Sequence, residues 1–229
     1  MTRVTVSAAR RFLAAVGLLL GAGALTACSA AQPGADAPIR VSPGQQLVAF
    51  YGDSYTLGTG ASEPSRRWST RICEDRGWAE FNPSVNGLGF VNNRDLLADD
   101  LIPRIIEADP DIIVVTMGLN DNFSMPSQSE EIEAAISDDI DTLAGELPDA
   151  RLVVVEPFWY TDERPASVDR IIGWVRDAAK AVGADYIPGA STWIEGHEEW
   201  MAADGIHPND DGYAAIAERM DEELEKLGL

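Results

Sequence analysis

Ser54 is the first residue in the chain whose setting suggests chemistry. It closes Gly52-Asp53-Ser54, directly after the apolar run Leu47–Tyr51. An apolar run stopped by glycine reads as a buried strand entering a tight turn. Open α/β sheets place their ligands at such turns, so Ser54 is a candidate nucleophile aimed into a crevice. Alone, Gly-Asp-Ser is also ordinary turn chemistry. Three other stretches fall at comparable places: Asn82-Pro-Ser-Val-Asn-Gly-Leu-Gly89, Gly118-Leu-Asn-Asp121 and Asp204-Gly-Ile-His-Pro208. Each has a plain structural account as a glycine turn, a helix cap or a surface Asp/His pair. Their order and placement together point beyond it.

The elements that must position these residues follow from hydrophobic periodicity. Strands are expected at Leu47–Tyr51, weakly at 79–85, at 112–117, at 151–156 and at Asp185–Ile187. Residues 112–117 are an uninterrupted, mostly β-branched run, the mark of a strand buried on both faces. Helices are expected at 66–76, at 94–108 with Pro103 as a kink, from a capping box at Ser127/Glu130 to about Leu147, at 167–182 before Gly183, and at 211–227. Strand and helix alternate, which predicts a mostly parallel five-stranded sheet covered by helices on both faces, in one domain over residues 46–229.

Composition narrows the function classes. The chain has 229 residues, 45% of them hydrophobic and 24% charged, and a formal charge of −21. Such a surface repels nucleic acid and anionic membranes. Lys180 and Lys226 are the only lysines. Two histidines and two cysteines offer no metal-ligand spacing, so no metal and no cofactor are implied. His197 lacks a partner of the Asp204/His207 kind and reads as a surface residue. Trp159, Tyr160, Trp193 and Trp200 are either pocket-lining or packing aromatics.

Residues 1–27 read as a targeting segment. Arg3, Arg10 and Arg11 precede an apolar stretch that is short for a membrane span and ends in Leu25-Thr26-Ala27-Cys28. This resembles a bacterial lipoprotein signal peptide, which implies cleavage before Cys28 and lipid attachment to it. A plain secretory signal cut near Ala27 or Ala30 is the alternative. Residues 28–45, rich in Ala, Pro, Gly and Ser, read as a flexible tether. Cys73 is expected as a buried, inert thiol, with a Cys28–Cys73 bridge as the alternative.

The four strand-end stretches together resemble the SGNH (GDSL-type) hydrolase family. Gly52-Asp53-Ser54 matches its first block, with Tyr55 where the commonest form has Leu. Asn82-x-Ser84-x-x-Gly87 resembles the second, where Gly87 is the functional glycine and Gly89 remains open. Gly118-x-Asn120-Asp121 matches the third and Asp204-x-x-His207 the fourth. The resemblance covers the chain from Leu47 onward and implies a three-layer α/β/α sandwich of flavodoxin-like topology. It implies Ser54 as nucleophile, His207 as base and Asp204 as the group orienting the imidazole. It assigns the oxyanion donors to the amides of Ser54 and Gly87 and the side-chain amide of Asn120. Asp53 and Asp121 are expected to support their turns, and Pro208 to stiffen the exit from its turn and open the last helix.

The expected activity is an extracytoplasmic serine esterase acting on short-chain or acetyl esters of small molecules, carbohydrates or lipids. The expected form is a monomer held to the membrane through Cys28 and binding no nucleic acid. An acyltransferase with the same triad, or a lipid-anchored binding protein with a silent site, are the alternatives.

Overall fold

A computed structural model describes residues 39–229. Residues 1–27, Cys28 and most of the 28–45 stretch therefore lie outside the described residues. Five strands form one parallel sheet: β1 (Leu47–Tyr51), β2 (Ala79–Phe81), β3 (Ile112–Val115), β4 (Arg151–Val155) and β5 (Asp185–Ile187). Their spatial order is β2-β1-β3-β4-β5. Val48 pairs with Ile112, and Ile112 in turn with Arg151. All five residues of β1 and all four of β3 are buried.

The pleat divides the core in two. Val48, Phe50, Ile112 and Val114 face a layer with Trp68, Ile72, Tyr213, Ile216 and Met220. Ala49, Tyr51, Ile113 and Val115 face a layer with Ile105, Ile136, Ile140 and Val175. The first layer is α2 (Trp68–Arg76) with α6 (Asp210–Lys226). The second is α3 (Leu101–Ala108), α4 (Ser129–Glu146) and α5 (Ala166–Val182). This is the three-layer arrangement expected of alternating strands and helices. The chain leaves β1 for β2 on one side and then crosses to β3 on the other, so a crevice opens beyond the carboxyl end of β1. The short α1 (Ser54–Leu57) starts in that crevice.

Several elements differ from expectation. Strand 79–85 shrinks to β2, Ala79–Phe81, because the chain then turns under β1, with the Val85 amide donating to Gly52 O. Helix 66–76 divides into a 3₁₀ turn (Pro64–Arg66) and α2. Helix 94–108 divides into a 3₁₀ turn (Arg94–Leu96) and α3. Asp100 caps α3 by accepting from the Ile102 amide, which puts Pro103 in the first turn, where its missing N–H is harmless. The Ser127/Glu130 capping box does not form: the Ser127 hydroxyl donates to Ser124 O, and α4 begins at Ser129. Pro208 does not open the last helix. Asn209 caps α6, accepting from the amides of Asp211 and Gly212, and Pro208 lies before it in a bridge to Met201.

Candidate active site

Ser54 is the first residue of α1, so its own amide has no acceptor within the helix. The Asp53 side chain caps that helix, accepting from the Tyr55 amide at 2.9 Å. The turn before it admits only glycine. A Cβ at Gly52 would lie 2.5 Å from Thr116 Oγ1 and 2.6 Å from Thr56 Oγ1. Those two hydroxyls bond each other at 2.6 Å, tying α1, which begins at the serine, to the residue after β3.

His207 Nε2 lies 3.0 Å from Ser54 Oγ, and Nδ1 lies 2.7 Å from Asp204 Oδ2. A carboxylate can only accept, so Nδ1 carries the proton and Nε2 is left to accept from the serine hydroxyl. The other Asp204 oxygen accepts from the amides of Ile206 and His207 at 2.9 and 3.0 Å. The hydrogen bond from His207 and these two amides hold the Asp204 carboxyl down at about 2. The loop is clasped at its base by Ala202 N donating to His207 O at 2.7 Å. The Ser54–His207–Asp204 chain can accept a proton from the hydroxyl as it attacks, and stabilise the resulting imidazolium.

Asn120 joins the other two blocks. It begins a 3₁₀ turn, Asn120–Ser124, beyond β3 and is 7% exposed. Its Nδ2 donates to Leu88 O at 2.9 Å and to Asp53 Oδ2 at 3.2 Å. One side chain therefore spans from the residue before Ser54 to the residue after Gly87. Asp53 is nearly inaccessible, and burial pushes its carboxyl up to about 7 against the Tyr55 amide that lowers it.

The glycine left open by sequence is narrowed by hydrogen bonding. The Gly89 amide is engaged by Asn92 O at 2.8 Å, whereas the Gly87 amide has no acceptor of that kind among the described residues. Gly89 serves packing instead, since a Cβ there would sit 2.6 Å from the Asp121 carboxylate. That carboxylate does not support its own turn, as sequence suggested. It reaches across to the β2–α3 loop and accepts from the amides of Phe90, Val91 and Asn92 at 2.8, 2.9 and 3.1 Å. Burial raises the Asp121 carboxyl above the usual range even so. The same loop is held from behind by Arg94, which donates to Phe90 O at 3.1 Å and to Asp139 at 2.5 Å, while Tyr51 donates to Asp139 at 2.6 Å. Neither the Asp121 reach nor this network has a local sequence signal.

Among the other singled-out residues, Trp159 and Trp193 are buried core. Tyr160 and His197 line a cavity of about 520 Å³ with Ile194, Met201, Ala202 and Gly205, beside the loop that carries Asp204. The His197 ring stacks on Trp200 at 3.5 Å and its Nδ1 pairs with Glu199. Cys73 is a free, buried thiol whose pKa is pushed up by burial. No group of His, Cys, Asp and Glu fit to hold a metal occurs among the described residues, and no described helix is long and apolar enough to cross a membrane.

Comparison with known proteins places the chain in a family. The GDSL-like lipase/acylhydrolase family matches residues 50–215. The chain is 29% identical over 182 residues to the GDSL lipase Rv0518 of Mycobacterium tuberculosis, covering 76% of this chain and 79% of that one. The fold is similar to the esterase EstA of Pseudoalteromonas sp., solved inhibited by monoethylphosphonate, with a TM-score of 0.65 at 15% identity, over 80% of this chain and 98% of that one. It is also similar to TesA, with a TM-score of 0.62 at 19% identity, over 80% and 99%. The match spans every element that builds the site, from the end of β1 into α6, and the chain belongs to the GDSL-like lipase/acylhydrolase family of hydrolases.

Proposed function

We propose that the protein is a serine esterase that cleaves short acyl esters outside the cytoplasm while anchored by lipid on Cys28. The observation that carries the reading is the unbroken hydrogen-bonded chain from Ser54 Oγ through His207 to Asp204, at 3.0 and 2.7 Å. Ser54 Oγ attacks the ester carbonyl carbon as its proton passes to His207 Nε2. The tetrahedral oxyanion is held by the amides of Ser54 and Gly87 and by Asn120 Nδ2. Both Asn120 amide protons are engaged at rest, and the longer bond, to Asp53, is the one exchanged for the oxyanion. The alcohol departs with the proton from His207, leaving an acyl-enzyme. Water, deprotonated by the same imidazole, then releases the acid and restores Ser54.

The test is turnover of p-nitrophenyl acetate, with labelling by an alkyl phosphonate located by peptide mass spectrometry. One label on Ser54, and loss of both label and turnover in Ser54→Ala, is the expected result. Absence of both in the wild-type protein across acyl lengths would sink the reading in favour of a binding protein. The cellular placement rests on the Leu25-Thr26-Ala27-Cys28 stretch alone.

A further inference from the structure

Tyr55 follows Ser54 directly, yet its side chain serves the other end of the site. It is fully buried, and its hydroxyl donates at 2.6 Å to the carbonyl of Ile206, 151 residues away in sequence. That carbonyl belongs to the residue between Asp204 and His207, beyond Gly205. The loop's other bonds are short-range: the Ile206 and His207 amides donate to Asp204, Ala202 N to His207 O, and Gly205 N to Ala202 O. Its outer face is open, with the Asp204 side chain 45% and Ile206 43% exposed.

Tyr55 is in turn fixed on every side. Its amide is held by Asp53 and its carbonyl accepts from Trp68 Nε1 at 3.1 Å. Its ring stacks on Phe158 at 5.5 Å and lies 6.0 Å from the His207 imidazole. Leu, the commonest residue of the resembled family at this place, has no proton to give. Burial, with Asp53, Asp204 and Tyr160 nearby, raises the phenol well above its ordinary value, so it is a donor at neutral pH.

We infer that Tyr55 is a positioning residue for His207: its hydroxyl ties the Ile206 carbonyl to the nucleophile turn, and so sets the imidazole at bonding distance from Ser54. The inference rests on the triad reading proposed above. A base held by an exposed loop samples many orientations, and misplacement by about 1 Å can lower rates by about a hundredfold. The tie from the residue next to the nucleophile adds to those short-range bonds the one that fixes the loop relative to Ser54, without touching the substrate.

The experiment is Tyr55→Phe, which removes one oxygen and keeps the ring packing, measured alone and in a His207→Ala background. Turnover of p-nitrophenyl acetate should fall about tenfold through kcat, with KM within about twofold of wild type. In the His207→Ala background the same substitution should leave residual turnover unchanged, because Tyr55 acts only through the imidazole. An unchanged kcat in Tyr55→Phe overturns the inference. So does an equal fold-loss with and without His207, or a Tyr55→Phe protein that no longer folds by circular dichroism, either of which makes the bond purely structural. Wild-type turnover that is lost in Ser54→Ala keeps the esterase reading standing in each of those cases. A wild-type protein without turnover removes the esterase reading, and the inference with it.

Discussion

Replacing Asp121 with Ala should damage the protein more than its place in a loop suggests. The carboxylate is fully buried and satisfies three consecutive backbone amides of the β2–α3 loop. Truncation leaves Phe90, Val91 and Asn92 with unpaired N–H groups in a site with little access to water. Each such donor costs about 1–3 kcal/mol. Partial relaxation and water entry reduce the sum, giving an expected loss of about 3–5 kcal/mol against a total stability of about 5–15 kcal/mol. Gly87 lies on the same loop, so turnover should fall as well, even where the variant remains folded. Asp121→Asn, which keeps one accepting oxygen but turns an NH₂ toward an amide, should fall between. Urea unfolding followed by tryptophan fluorescence gives the stability, and aryl-ester turnover on the folded fraction gives the activity. An Asp121→Ala protein within about 1 kcal/mol of wild type and fully active would refute the idea that this carboxylate holds the loop.

Other outcomes are equally specific. Asn120→Ala should lower kcat about 10²–10³-fold, the usual size for one oxyanion donor, with a smaller effect on KM in steady-state assays. Asp204, held at about 2, should stay ionised from pH 5 to 9, so a turnover profile over that range should show no step from this carboxyl. Asp53 works in the opposite sense on stability: its carboxyl is raised to about 7 in the fold, so its contribution is fully present below about 4, fades as pH rises to about 7 and is constant above. The unfolding free energy from urea titrations should therefore decline between pH 4.5 and 7.5, by up to about 4 kcal/mol from this group, and Asp53→Asn should flatten the decline in part, since Asp121 shifts the same way. Mass spectrometry of the mature protein should find a diacylated N-terminal Cys28; an unmodified terminus, or one beginning elsewhere, would remove the anchor.

How far the sequence disclosed this protein depended on whether the determining forces were local. The apolar runs of β1, β3 and β4 were legible because a strand buried on both faces carries its burial in its own composition. That Ser54, Asp204 and His207 would meet, with Asn120 beside Asp53, was legible because each lies in a short, recognisable turn. The break at Leu97–Asp100 was not, because continuous apolar spacing hid a cap whose partner, the Ile102 amide, lies two residues on. The Ser127/Glu130 pattern misled because the Ser127 hydroxyl had a competing acceptor at Ser124 O. The choice between Gly87 and Gly89 needed a bond between Gly89 N and Asn92 O that composition cannot express. Tyr55 looked like a departure from a motif, and only the fold brings its hydroxyl to Ile206.

The buried acids of the site share one arrangement. Asp53 caps α1 and accepts from Asn120, Asp121 gathers three amides of the β2–α3 loop, and Glu156 beyond β4 accepts from the amides of Gly189 and Ser191 beyond β5. Each carboxylate stands at the carboxyl end of the sheet; Asp121 and Glu156 bind backbone donors of a neighbouring loop, and Asp53 caps its own helix and takes the Asn120 side chain from across the sheet. Loops there cannot pair with a strand, so their amides need acceptors that reach out from fixed elements. A carboxylate is the side chain able to accept from several amides at once. The energetic consequence is unfavourable for Asp53 and Asp121, whose carboxyls burial raises above their ordinary range. What this secures is a set of loops with little freedom, around a reaction whose barrier depends on donors being in place before charge develops. On the proposed mechanism the acids beside Ser54 are there for rigidity, and Asp204, whose carboxyl is held down at about 2 by His207 and two amides, is the one whose charge would serve the chemistry.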